Sequence, residues 1–331
     1  MPTAALAPPP LETLISAAAA APSIHNTQPW RFRLDPDTAT LEVRAVADRA
    51  LRQIDPTGRA LHVSVGCAVL NLRVAVAHFG REPVTRLLPR PEEPDLLAAV
   101  RLGGRVRSGT AHQLYTALWH RHSSRFPFSD LPLPTSVLTE LAEAAHSEGA
   151  QLSRPGPGET ERLLRLTRDA ERRTTVDADR AAESRRWVHE PTEASLGIPP
   201  EALGPQDILE RMPMRDFGAH RHPSVLSGRP FEQRPAIVVL STAHDRRTDW
   251  LRAGQALERV LLVATAHGVR ASLLHQALEW PDLREQSAST ADDRRAHAQM
   301  VIRLGYGPEG PATPRRSARQ MVDEGALSVH R

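Results

Sequence analysis

The sequence predicts an α+β protein made of two similar halves. Three observations carry that prediction. Residues 58–80 hold Leu61, Val65, Ala68, Leu72, Val76 and Phe79 at spacings of three or four, the pattern of a long buried helix. A second such helix covers 249–267, with Trp250, Gly254, Leu257, Leu261 and Ala264 on one face and Val260 and Leu262 beside it. Each is set among strand-like runs and shorter helices, so the halves could pack as an internal dimer.

In chain order, a Pro-rich stretch at 1–9 leads into Leu11, Leu14, Ile15 and Ala18 at helical spacing. Strand-like runs at 30–34 and 41–46 flank the turn signal Asp35-Pro36-Asp37 and read as a hairpin. After the first long helix come strand candidates at 84–88 and 96–102, then a Gly/Arg/Ser linker at 103–109. This linker divides the chain into an N-terminal half, 1–109, and a C-terminal half, 110–331. The second half opens with helices near 112–120 and 135–148 and a strand near 150–153. Two polar helices fill 158–189, and a Pro/Gly/His/Arg-rich loop runs from 190 to 234. A buried strand at 236–240 precedes the second long helix, and strands at 270–275 and 299–304 follow it.

The totals describe a globular chain of 331 residues, 40% apolar and 24% charged. Its one cysteine, Cys67, excludes an internal disulfide and lies in an apolar helix pattern, so it reads as packing. Every basic residue other than histidine is arginine, which excludes a Schiff-base or P-loop lysine. The net charge is +3 with acidic residues interspersed, so no nucleic-acid stripe exists. Ala17 to Ala21 resembles the end of a signal peptide, but there is no basic segment before it, and Pro8-Pro9-Pro10 and Glu12 interrupt it. No run reaches the ~18 apolar residues of a membrane span. A cytoplasmic protein with no membrane partner is expected. His120-x-His122 and His220-x-His222 have no further ligands at metal-site spacing. Neither a P-loop nor a Gly-x-Gly-x-x-Gly turn is present.

Two stretches carry candidate chemistry. Pro22-Ser23-Ile24-His25-Asn26-Thr27-Gln28-Pro29-Trp30 sets short polar side chains between prolines that hold the backbone extended. Such a loop can read the edge of a flat polar ring, and it is also what an ordinary helix-to-strand connection needs. Arg121-x-Ser123-x-Arg125 brings two guanidinium groups and a hydroxyl within about one turn. That set can fork around a phosphate dianion, or in so Arg-rich a chain it can lie on a solvated surface.

Pro22-Ser23-x-x-Asn26-Thr27-Gln28-Pro29-Trp30 resembles the flavin-contacting loop of the FMN-dependent nitroreductase superfamily. In that superfamily Arg-x-Ser-x-Arg binds the flavin phosphate, and a closing basic pair returns to it. Arg121, Ser123 and Arg125 match the former, and Arg315-Arg316 the latter. The segment 268–276 resembles the one passing the flavin ring near N5, from which Leu274, His275 and Gln276 carry over. An ordinary chain of the superfamily runs phosphate motif, loop, N5 segment, closing arginines. Here the loop comes first, and the second half has the other three motifs but Ala145-His146-Ser147-Glu148-Gly149-Ala150 where its own loop would fall.

That order, with Leu51-Arg52-Gln53-Ile54-Asp55-Pro56-Thr57-Gly58-Arg59 and Arg303-Leu304-Gly305-Tyr306-Gly307, resembles the Acg family of FMN-binding nitroreductase-like proteins over residues 10–318. Ala298, where Pro is usual, and Ser123-Ser124, where Thr-Asn is common, depart from its pattern. The resemblance implies a nitroreductase-like fold of two fused halves, with one composite site and a degenerate N-terminal half. It implies FMN as cofactor, NAD(P)H as donor and a quinone or nitroaromatic acceptor. It implies no separate catalytic side chain, and a monomer that is itself a pseudo-dimer. The loop 190–234, with Met212, Met214, Phe217, His220, His222 and Phe231, reads as a lid or as a cover over core helices. The alternatives are an FMN-sequestering protein that turns over little, and a pocket for another phosphorylated ligand.

Overall fold

The computed structural model describes residues 11–106, 109, 111–188, 196–217, 228–287 and 296–322. Helix α1 (Leu11–Ala19) precedes the hairpin of β1 (Trp30–Asp35) and β2 (Thr40–Ala45), and the long helix α2 (Arg59–His78) is followed by β3 (Arg81–Leu87) and β4 (Leu96–Arg105). The second half begins with α3 (Ala111–His120), α4 (Thr135–His146) and β5 (Gln151–Ser153), then α5 (Pro157–Val176) and α6 (Ala178–Arg185). It ends with β6 (Ala236–Thr242), α7 (Arg247–Ala266), β7 (Arg270–Leu273), α8 (Pro281–Gln286) and β8 (His297–Gly305). Mixed helices and antiparallel sheets match the α+β expectation. The short α8 had no signal strong enough to read. Residues 103–105, read as linker, continue β4 instead: Arg105 pairs with Arg81, and Gly103 leaves room for the Glu82 backbone.

The two sheets have one topology. The first runs β1-β2-β4-β3 and the second β5-β6-β8-β7, every neighbouring pair antiparallel. In each half the long helix connects the second strand of this order to the strand at the far edge. The apolar faces of α2 and α7 meet at the centre of one core that also takes in α1, α3 and α4. Their crossing point is a pair of glycines. A Cβ on Gly66 would lie 2.3 Å from the Leu251 carbonyl, and one on Gly254 would lie 2.1 Å from the Val63 carbonyl. Gly66 and Gly254 are each the eighth residue of their helix. The crossing therefore relates equivalent positions, and only glycine permits so close a backbone approach.

Local chemistry sets both helix starts. Gly58 takes a left-handed turn at φ 73° before α2, and the Asp55 carboxylate accepts the Leu61 N–H at 2.8 Å. At α7 the Asp249 carboxylate accepts the Arg246 N–H at 3.1 Å in a capping box. Helix α2 does reach the length and apolarity of a membrane span, with mean hydropathy 1.6. The sequence reading missed this because polar residues punctuate it. Of its most apolar 18-residue stretch 89% is buried within the protein, which is how a central core helix differs from a span.

Candidate functional site

The loop after α1 is held in an uncommon backbone conformation. His25, Asn26 and Gln28 all have positive φ (47°, 53° and 45°), which costs a residue with a Cβ roughly 1–2 kcal/mol. Hydrogen bonds offset that cost. Ser64 Oγ on α2 accepts the Ile24 N–H at 3.1 Å, and Ser23 Oγ accepts the Gln28 N–H at 2.9 Å. Arg316 donates to the Gln28 and Trp30 carbonyls at 3.0 and 2.8 Å, while its own N–H donates to Gln28 Oε1. A loop clamped this firmly in strained geometry is characteristic of a binding site.

The second motif is pinned against the opposite wall. The Ser124 N–H donates to the Ala271 carbonyl on β7 at 2.9 Å, and Ser124 Oγ donates to the Pro308 carbonyl. Gly310 lies so near this segment that a Cβ there would meet the Ser123 carbonyl at 2.1 Å. The chain end thus folds over the Arg-x-Ser-x-Arg stretch and delivers Arg315 beside it.

Between these walls lies a cleft enclosing about 1020 Å³, its opening to solvent included. The lining brings together Pro22, Ser23, Asn26, Arg121, Ser123, Arg125, His275 and Arg315 from four separated parts of the chain. Gln28, Leu274, Gln276 and Arg316 stand behind the wall. Gln28 and Arg316 brace the loop as described. Leu274 is core, its N–H donating to the Val301 carbonyl, and Leu273 takes its place at the surface of the cleft. Gln276 is buried and donates to the Pro213 carbonyl. His120 and His122 do not form a metal cluster with other residues among those described, and His220 and His222 lie outside the described residues.

Charge is the cleft's main feature. Among the described residues four arginines line it (Arg59, Arg121, Arg125 and Arg315), and no carboxylate does. Arg121 and Arg315 both donate to the Ala20 carbonyl, at the end of α1 where the helix dipole is negative. Arg315 also donates to Asn26 Oδ1 at 2.9 Å, joining the chain end to the loop. Burial pushes the Arg315 guanidinium down to about 9, with the neighbouring Arg121 adding to the effect. Burial likewise lowers Arg59 to about 10. Buried like charges of this kind favour a bound anion that would offset their repulsion.

Sequence reasoning missed a second cluster. His25, His275 and Glu279 bring potential ligand atoms within 4.8 Å of one another. The Arg215 guanidinium supplies the positive charge there, on His25 Nε2 at 2.9 Å and Glu279 Oε1 at 2.6 Å. Burial, then Arg215, holds both imidazoles well below the usual histidine range and so neutral. Phe217 packs edge-on against His25, and Arg125 lies 5.0 Å over the Phe217 ring. His275 is one of the residues the resemblance singled out and Glu279 follows it by four positions, but no spacing joins them to Arg215 and His25, which are 190 positions apart.

No family profile matches the chain. Relatives are found in Mycobacterium tuberculosis H37Rv. "Putative NAD(P)H nitroreductase Rv3131" is 30% identical over 320 residues, 95% of this chain and 91% of that protein. "Putative NAD(P)H nitroreductase acg" is 28% identical over 320 residues, 95% and 94% of the two chains. Among solved structures, a nitroreductase with bound FMN from Bacteroides fragilis NCTC 9343 covers 66% of this chain and 98% of its own, at 16% identity and TM-score 0.37. A second, from Desulfitobacterium hafniense DCB-2, covers 61% and 94% at 14% identity and the same score. Superpositions this loose say nothing about function, whereas the similarity to Rv3131 spans 95% of this chain. The chain belongs to the Acg family of nitroreductase-like proteins.

Proposed function

We propose that this protein is an FMN-binding oxidoreductase of nitroreductase type that takes hydride from NAD(P)H and passes electrons to a quinone or nitroaromatic. The observation that carries this reading is the cleft with four arginines and no carboxylate, walled by the loop and the Arg-x-Ser-x-Arg segment. The names of the relatives support NAD(P)H. The residues present fit a flavin phosphate. Arg315 Nε is buried without a hydrogen bond among the described residues, and Ser123 lines the cleft together with Arg121 and Arg125.

When bound, FMN supplies reversible hydride chemistry that needs no protein nucleophile. In this reading Arg121, Ser123, Arg125 and Arg315 hold the phosphate. Pro22, Ser23 and Asn26 contact the ring system, and Gln28 and Arg316 keep their loop in its strained form. His275 and Leu273 face the ring side, supported from behind by Leu274 and Gln276. The shared strand order and the equivalent glycines at the α2–α7 crossing support the reading of 1–109 and 110–331 as two fused nitroreductase-like halves, a pseudo-dimer within one chain.

The second reading, sequestration of FMN with little turnover, is favoured by the way residues 196–217 are fastened over the cleft. Asn26 and Gly197 exchange hydrogen bonds, Arg125 donates to the Ala202 carbonyl at 2.7 Å, and Arg215 is tied to Glu279. We read this part of 190–234 as a lid. One experiment separates the readings: an absorption spectrum of the purified protein, then anaerobic addition of NADPH and of NADH. A flavin spectrum that bleaches promptly supports the oxidoreductase, and one that stays yellow supports sequestration. A colourless protein that refuses added FMN would remove both.

A further inference from the structure

A carboxyl group is buried directly behind the arginines of the cleft, and neither reading above gives it a role. Glu258 on α7 is 0% exposed. Its Oε1 lies 3.4 Å from Arg121 Nε, a charge contact outside hydrogen-bond geometry, and neither carboxyl oxygen accepts a hydrogen bond from the described residues. The Asn71 amide of α2 faces it without forming one of ordinary geometry. The other groups bearing on it are Arg315 from the chain end and the Cys67 thiol of α2. The next residue along, Arg259, belongs to a separate network with Glu148 and Arg73 and leaves Glu258 alone.

This is an unusual place for a structural ion pair. A buried carboxylate held only for stability recovers its desolvation through several hydrogen bonds, as Glu232 does with Arg303 and the Phe128 N–H. Glu258 has none of these. It sits instead at the rear of two guanidinium groups whose outer sides line the cleft. The cluster of Arg121, Arg315 and Glu258 has one proton to spare: with the carboxylate ionised, its net charge is +1, and with the acid protonated it is +2. An arriving dianion favours the second state, because it takes over the arginines and repels the carboxylate.

We propose that Glu258 is a positioning residue that balances Arg121 and Arg315 while the cleft is free of anion and takes up one proton from solvent when a phosphate dianion binds. The proposal rests on the flavin-phosphate assignment above. Burial has already brought the Glu258 carboxyl up to about 7, with Arg121 opposing, so a further push moves it through the neutral range. No bond other than the O–H of the acid is made, and the proton comes from water or buffer.

The test is calorimetric titration of flavin-stripped protein with FMN and with riboflavin at pH 7.5, in buffers of different ionisation heat, which counts protons taken up per flavin. At this pH free FMN phosphate is a dianion and contributes little uptake of its own. From a starting value near 7, about a quarter of the carboxyls are already protonated at pH 7.5, so wild-type protein should take up as much as about three-quarters of a proton with FMN. Riboflavin, without the phosphate, should give close to none. Glu258→Gln keeps the shape and removes the titration, so FMN uptake should fall toward zero while riboflavin affinity is unchanged. Equal uptake in wild type and variant would overturn the proposal and leave the flavin assignment standing. Binding of neither flavin would overturn the assignment, and the proposal with it. Should the variant not fold, the wild-type comparison decides, since equal uptake with both flavins refutes the role of the phosphate.

Discussion

Arg315 and Arg316 are adjacent in sequence, and their substitution should have opposite consequences. Arg315 lines the cleft, its Nε buried without a partner, beside Arg121. Arg316 faces the other way and donates to three backbone carbonyls, those of Gln28, Trp30 and Gln320. In Arg315→Ala a bound phosphate loses at least one charged hydrogen bond, worth roughly 1.5–3 kcal/mol, or roughly 10- to 150-fold in Kd. Riboflavin should bind almost as before, after allowance for the lost contact to Asn26 Oδ1. In Arg316→Ala the loss falls on the fold. The Gln28 and Trp30 carbonyls next to a strained loop lose their shared guanidinium donor, Gln28 keeping only Arg49 and the Trp30 N–H, at about 2 kcal/mol of stability, and FMN and riboflavin should weaken together. Fluorescence titration with both flavins, alongside urea unfolding, reads all four quantities. An Arg315→Ala protein that binds FMN as tightly as wild type, or loses both flavins equally, would refute the phosphate site.

Other perturbations test the frame around the cleft. Gly254→Ala places a methyl group 2.1 Å from a backbone carbonyl that cannot move without separating α2 from α7, so it should cost about 3 kcal/mol, the upper part of the range for overpacking, in a denaturant titration. Arg215→Met leaves Glu279 buried without its partner, and breaking such a pair typically costs about 3–5 kcal/mol of the closed arrangement. If residues 196–217 gate the cleft, stopped-flow reduction of the flavin by NADPH should accelerate, and an unchanged rate would make them a static cover. Relative to Glu258→Gln, the flavin-free wild-type protein should lose stability as pH rises from about 4.5 to about 7. Over that range native Glu258 keeps a proton that the unfolded chain has lost, giving a slope of at most ~1.4 kcal/mol per pH unit. Glu258→Gln should flatten that part of the profile.

Much of this molecule is written in local pattern. The period of apolar residues places α2 and α7, Asp35-Pro36-Asp37 turns the first hairpin, and Pro22 and Pro29 bound the loop whatever the surroundings. The loop and the Arg-x-Ser-x-Arg stretch are likewise legible, because their chemistry is concentrated in a few consecutive residues. Pairwise geometry over long separations is not written that way. No spacing rule joins Arg215 to His25, or marks Glu258 as the carboxyl behind Arg121, since the first depends on how residues 196–217 meet the loop after α1 and the second on how α7 meets the end of α3. The same holds for direction. Adjacent arginines 315 and 316 look interchangeable as letters, yet an extended backbone sends successive side chains to opposite sides, one into the cleft and one into the frame that supports it.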